Sequence, residues 1–331
     1  MMSYDDVNQI KKERMDMNGL NEIVEAYIED FISKNGNDEL KKYIVPDSIP
    51  IVWFGDVEEY LKPKYKGKRI VTIAANPSDR EFPTKIDENG LAIGRFEKQR
   101  FDLIELTNFN DLSADEQQAK IDALMGTLNS YFRKWPYLSP DESKYDYGKK
   151  KTKPWFDHYE GVLESIGASY RNGDDNQFAV IHIDAYTAIA TSPTWSGLPK
   201  NIQDEIRNTE LFKKLLEALD PDVILYSGEK NVISIVNNLY GEMQLVREYS
   251  GKKLINEDRQ RIGYELFTEK TEDVMPRASI KVFKGSNKIF IYGTNCSTPF
   301  TVFNKEARSE IIKSEVLCGK PPFVISSKYY D

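Results

Sequence analysis

Thiols are scarce in this 331-residue chain, where Cys296 and Cys318 are the only cysteines. Two sulfurs exclude a disulfide scaffold, an all-cysteine zinc site and an all-thiolate iron–sulfur cluster. Histidine is equally rare, with His158 and His182 alone, so chemistry has to come from oxygen and amide groups. No window approaches the roughly 18 uninterrupted apolar residues of a membrane span, and the first residues are charged rather than built around an apolar signal core. The expectation is a cytoplasmic protein with no membrane partner. Phosphate loops are missing as well. No G-x-G-x-x-G follows an apolar run and no G-x-x-x-x-G-K-[ST] occurs, which removes the main support for dinucleotide redox or NTPase chemistry, and no cofactor or metal is expected. Basic charge is in deficit, with 45 Lys+Arg against 53 Asp+Glu and a formal net charge of -8. That balance argues against an indiscriminate binder of polyanions. There is no internal repeat or low-complexity segment, and no signal for oligomeric state.

Apolar residues make up 40% of the chain and aromatics 12%, enough for a packed core. Residues 1–48 read as a helical extension, because Ile23, Val24, Tyr27, Ile28, Phe31 and Ile32 recur at helical spacing and Gly36 offers a stop. Residues 49–331 read as one α/β domain. Its predicted strands are the β-branched run ending at Ala75, Phe178–Asp184, Val223–Tyr226 and Ile289–Tyr292. Between them lie amphipathic helices, one opened by the capping box Ser113-Ala114-Asp115-Glu116 and one starting near Pro154. Two polar insertions are expected, near 136–153 and 241–286, the second hairpin-like. Strands alternating with helices predict a four-stranded, mostly parallel sheet with helices on both faces.

Ligands of such sheets sit beyond the carboxyl ends of the strands, which points to Asn76–Asp79, Asp184–Thr187, Ser227–Lys230 and Asn295–Phe300. Two of these loops share a flavour, Ala74-Ala75-Asn76-Pro77-Ser78 and Asn295-Cys296-Ser297-Thr298-Pro299-Phe300. Each sets an asparagine at the lip of the sheet. A carboxamide accepts and donates, so it positions a water or holds an oxygen that becomes negative, but it is no strong base.

On these two loops, and on Gly90-Leu91-Ala92 and Ile181-His182-Ile183-Asp184-Ala185 between them, the chain resembles the uracil-DNA glycosylase superfamily over about residues 69 to 304. In that family the first core strand ends in a G-x-[ND]-P loop that places the hydrolytic water, and the last ends in a [HN]-P-S-x-x loop that stabilises the leaving base. The resemblance implies DNA as partner and hydrolysis of an N-glycosidic bond in a flipped nucleotide. It assigns Asn76, flanked by Ala75 and Pro77, to the water, and Asn295 with Ser297 to the base. Departures are Ala74 for glycine, Cys296 for proline, and Ile93 at the base-stacking position, with Phe96 the nearest aromatic.

Asp79 would supply basicity, its alternative being an Asx turn or helix cap. Asp184 stands where the family reads uracil with a carboxamide. A carboxylate only accepts hydrogen bonds, which suits the exocyclic amine of cytosine, the alternative being a cap or an ion-pair partner. Ser78 replaces the bulky tyrosine that closes the pocket of uracil-specific members. Together these imply a 5-substituted cytosine, hydroxymethylated or glucosylated, and defence against phage with modified genomes. Phe300 after Pro299 has the character of a wedge filling the gap left by an extruded base, or of core packing. Lys149, Lys150 and Lys151 form a basic loop suited to DNA phosphates, or a solvated face. His182 reads as a buried, hydrogen-bonded residue, the alternative being a metal site or acid–base pair with Asp184, and Thr191–Gly197 as a turn that grips phosphates or lines a pocket, the alternative being an ordinary loop with one anchored tryptophan. No lysine is evidently placed for Schiff-base lyase chemistry, so the implied enzyme is monofunctional. Rival readings are a uracil or mismatch repair glycosylase, an N-ribosyl hydrolase or transferase on free nucleosides, and a non-catalytic module that binds modified DNA or a nucleotide.

Overall fold

In a computed structural model, the structure describes residues 4–77, 81–82, 101–102, 104–134, 155–171, 175–227, 232–255, 261–267, 280–293, 305–319 and 327–328. The α-helices are α1 (Tyr4–Asn35), α2 (Val57–Leu61), α3 (Ala114–Asn129), α4 (Tyr131–Lys134), α5 (Trp155–Leu163), α6 (Lys200–Ile206), α7 (Thr209–Leu219), α8 (Val232–Tyr240) and α9 (Lys305–Lys313). The strands are β1 (Arg69–Ala74), β2 (Ala179–Asp184), β3 (Val223–Tyr226), β4 (Gln244–Ile255), β5 (Arg261–Phe267), β6 (Ile280–Gly285), β7 (Lys288–Tyr292) and β8 (Ser327–Lys328). The chain divides into two compact units. The first comprises Met1–Asp56, Ala75–Pro136 and Ile183–Asp220; the second comprises Val57–Ala74, Tyr137–His182 and Pro221–Asp331.

The class is α/β, and the four predicted strands form, but the sheet is neither four-stranded nor mostly parallel. Among the described residues its eight strands run in the order β2-β1-β3-β7-β6-β4-β5-β8. The predicted set lies together at one side. β1 pairs with β3, and β3 with β7, all parallel, in the register Ile73↔Tyr226↔Tyr292. Side chains of β2 and β3 are buried throughout, as expected of parallel strands covered on both faces. Beyond β7 the sheet continues antiparallel through β6, β4, β5 and β8. The expected hairpin region near 241–286 is thus an integral part of the sheet. These strands were hidden because β6 alternates buried and half-buried residues, and β4 carries Arg247, Glu248, Lys252 and Lys253 among its apolar residues. Such a pattern reads as polar when only continuous apolar runs are sought.

In the second unit, the start of the sheet is tied down by Asp222, whose carboxylate accepts the Arg69 N–H at 2.9 Å. His182 is 3% exposed. Its Nδ1 lies 2.9 Å from the Thr72 hydroxyl, which is 2.7 Å from the Tyr170 hydroxyl, and Trp155 and Phe156 pack on its ring. It is a satisfied core histidine. Helices α5 and α9 pack together, with Tyr159, Leu163, Ile311 and Ile312 buried. After α9 comes a π-helical turn, Ser314–Cys318, whose Glu315 is buried. The Glu315 carboxylate accepts from Arg247 Nε and from the Tyr249 hydroxyl, both at 2.5 Å, and stands 2.9 Å from the Lys284 ammonium.

In the first unit, α1 ends where the glycine stop was expected and packs on α7 and α3 through Leu20, Val24, Tyr27, Ile28 and Phe31. Asn208 caps α7 by accepting the Leu211 N–H at 3.1 Å and donates to Asp30 of α1 at 2.8 Å. The capping box opens α3 as read from the sequence, with the Glu116 carboxylate accepting the Ser113 N–H at 2.9 Å. Inside, Trp53 donates its indole N–H to Asn129 at 3.0 Å. Residues 43–51 run beside 188–192, with Val45 N–H on Ala190 O at 3.0 Å, Ile51 N–H on Ala188 O at 2.8 Å and Ser192 N–H on Tyr43 O at 2.9 Å.

Candidate functional site

Asn76 and its neighbours Ala75 and Pro77 follow the carboxyl end of β1, as the sequence places them. Proline at 77 keeps Asn76 out of helical conformation and so forces a turn here. The turn is pinned at Ala75, whose carbonyl accepts the Tyr186 N–H at 2.9 Å. Asn76 is half-buried. Its amide nitrogen donates twice, to Pro77 O at 3.0 Å and to Thr191 Oγ1 at 3.1 Å. A peptide carbonyl only accepts, so the atom facing Pro77 O is the nitrogen. Both N–H bonds are therefore spent on the protein, and among the described residues Oδ1 accepts no hydrogen bond. The arrangement presents an oriented acceptor on a half-buried residue.

The segment behind this turn is buried at Thr191 and Trp195. Thr191 is fully buried and forms a bridge with Ile44. The peptide bond Ser192-Pro193 is cis, and Trp195 is 5% exposed in the short helical turn that follows. The Trp195 ring lies 4.9 Å from that of Tyr186, and the Arg207 guanidinium sits 4.1 Å above Tyr186. The Thr191–Gly197 turn anchors its tryptophan, and Thr191 contacts the Asn76 side chain. Arg207 was not singled out from the sequence, because an isolated arginine between two helices carries no pattern.

Asp184 ends β2 and is 6% exposed. It belongs with the interior of the first unit, near Tyr27 of α1. Burial raises the Tyr27 phenol pKa far above its ordinary value, and the negative charges of Asp30 and Asp184 add to the effect.

Within the second unit, the register Ile73↔Tyr226↔Tyr292 brings β1, β3 and β7 to a common carboxyl end. Ser227 closes β3 by donating its N–H at 3.1 Å and its hydroxyl at 3.0 Å to Ile73 O. Gly293 closes β7 with φ 88° and its N–H on Tyr226 O at 3.0 Å, a conformation open to glycine and strained for other residues. Strands about 4.8 Å apart put the ends of β1 and β7 about 10 Å from each other. Ser78, Asp79, Ile93, Phe96, Lys149, Lys150, Lys151, Asn295, Ser297, Pro299 and Phe300 lie outside the described residues.

Elsewhere among the described residues, Lys284 pairs with Glu315, and Lys62 and Lys64 pair with Glu59. No group of three or more His, Cys, Asp or Glu residues suited to a metal ion occurs among the described residues, and no described helix is long and apolar enough to cross a membrane. A separate cleft of about 670 Å³ opens in the first unit between the end of α1, Lys41 to Ser48, and residues 104–107. None of the Asn76 turn lines it. No protein-family model matches the chain, and no curated protein or solved structure matches it either.

Proposed function

We propose that the chain is a monofunctional DNA glycosylase that hydrolyses the N-glycosidic bond of a flipped pyrimidine. The observation that carries the reading is the Asn76 amide. With both N–H groups held by Pro77 and Thr191, Oδ1 is an oriented acceptor just past the carboxyl end of β1, where it takes a hydrogen bond from water and turns an oxygen lone pair toward a bound sugar. Hydrolysis then proceeds as the bond between C1′ and the base nitrogen breaks with its electron pair leaving on the base. The sugar becomes oxocarbenium-like, water adds at C1′, and its proton passes to solvent or to the departing base. Such a transition state asks for a placed water more than for a strong base, which suits a carboxamide. The second group acting on the base is Asn295, assigned by residue type and by its place three residues after Tyr292, the last residue of β7, in the sequence.

Substrate choice follows from residue type. Asp184, an acceptor at the end of β2, suits a cytosine-type amine, and Ser78 leaves room at the 5-position, so the proposed base is a hydroxymethylated or glucosylated cytosine and the proposed role is defence against phage carrying it. The test is mass-spectrometric detection of free base released from matched duplexes bearing C, U, 5-hydroxymethylcytosine or its glucoside. Release of the modified cytosines, lost in Asn76→Ala by at least about 100-fold, is the expected result. Uracil released as fast or faster ends the substrate assignment. Release from free deoxynucleosides alone replaces DNA with nucleosides as substrate. No release from any substrate refutes the enzyme reading. Asp184→Asn is expected to move preference toward uracil; unchanged preference with lowered stability would assign Asp184 to the Tyr27 contact instead.

A further inference from the structure

We propose that Thr191 is a positioning residue for the Asn76 carboxamide, an inference that rests on the hydrolase reading for its kinetic consequence but not for its geometry. The terminal torsion of an asparagine is broad and roughly two-fold, so the side chain itself does not choose which end faces outward. Pro77 O engages one N–H and leaves the amide plane free to swing about that bond. Thr191 Oγ1 engages the other at 3.1 Å. Two bonds at an angle fix both the plane and the outward end, which is Oδ1.

Thr191 is suited to the task by its own restraint. It is β-branched, with few side-chain rotamers, and it is fully buried. Its backbone is held on both sides, by the bridge to Ile44 and by the Val45–Ala190 and Tyr43–Ser192 hydrogen bonds. The stretch after α1 thereby reaches Asn76 through Thr191, which lies 115 residues beyond Asn76 in the sequence. This assigns residues 43–51 a task in the site beyond packing.

The test compares Thr191→Val, which keeps the shape and removes the acceptor, with Thr191→Ser, which keeps the hydroxyl. On a substrate that the 331-residue protein cleaves, Thr191→Val is expected to lower kcat about tenfold, the size of one lost orienting hydrogen bond. KM should stay within about twofold and Thr191→Ser should recover most of the loss, a split that general loosening of the fold does not produce. The second readout needs no substrate. In protein labelled with ¹⁵N-asparagine, the Asn76 side-chain amide signal, identified by its absence from Asn76→Ala, is expected to exchange its protons with water at least about fivefold faster in Thr191→Val than in wild type or Thr191→Ser. Wild-type kcat in Thr191→Val with unchanged exchange overturns the assignment while the hydrolase reading stands. If no substrate is cleaved, the hydrolase reading falls and the exchange measurement alone decides the role of Thr191.

Discussion

Replacing Glu315 by glutamine removes one negative charge from a fully buried side chain and leaves two cations behind. Arg247 and Lys284 are 26% and 28% exposed at their side chains, so water takes up part of what the carboxylate gave. Removing one partner from a buried ion pair costs about 3–5 kcal/mol. With roughly a quarter of each cation already in water, and with the amide oxygen still able to accept from Tyr249, a loss of about 2–3 kcal/mol is expected at pH 7. That is a fall of roughly 5 °C in Tm for a chain of this size.

The pH dependence carries the sign of the mechanism. Burial by itself pushes the Glu315 carboxyl up, but the hydrogen bonds from Arg247, Tyr249 and Lys284 outweigh it and hold the group below its ordinary value of 4.5. A carboxyl depressed in the folded state stabilises fully above its unfolded pKa and loses that contribution as pH falls through the folded value. The gap between wild type and Glu315→Gln, read by urea denaturation followed with circular dichroism, should be constant from pH 8 to pH 5 and close below about pH 4. A gap under about 0.5 kcal/mol at pH 7, or one that persists unchanged at pH 3, would refute the reasoning.

Two further substitutions probe the two units separately. Asn129→Leu strands the Trp53 indole N–H in the first unit without an acceptor and should destabilise the protein by about 1–3 kcal/mol; Asn129→Asp, which keeps an acceptor, should retain the Trp53 bond as seen by the indole N–H chemical shift. Thr72→Val breaks the chain linking Tyr170, Thr72 and His182 in the second unit, with an expected loss of about 1–2 kcal/mol in urea denaturation. An unchanged midpoint would mean that Tyr170 and His182 satisfy each other.

Much of the parallel half of the sheet was legible because its strands are buried on both faces and stand out as unbroken apolar runs, as in Ala179–Asp184 and Val223–Tyr226. The antiparallel half was not, because alternation with charged residues in β4 and β6 looks like polar sequence until pairing is known. The site divides in the same way. Asn76 could be singled out by residue type and by its place after an apolar run. Its hydrogen bond to Thr191 could not, since no local pattern links residues 115 positions apart. The Glu315 cluster was hidden for the same reason, its cations lying 68 and 31 residues away in the chain.

The strand order has a consequence for synthesis on the ribosome. β7 lies between β3 and β6, yet it is translated after both. Between Tyr226 and Tyr292 there are 66 residues still to be made, roughly 3 to 13 s of elongation. During that interval one long edge of β3, an apolar strand, has no neighbour to pair with. The chain also passes between its two units at residues 56, 74, 136, 182 and 220, so the first unit is fully translated by residue 220 while the second still waits for β7. A nascent chain halted before β7 therefore offers an open sheet edge, a template for aggregation and a natural target for holdase chaperones.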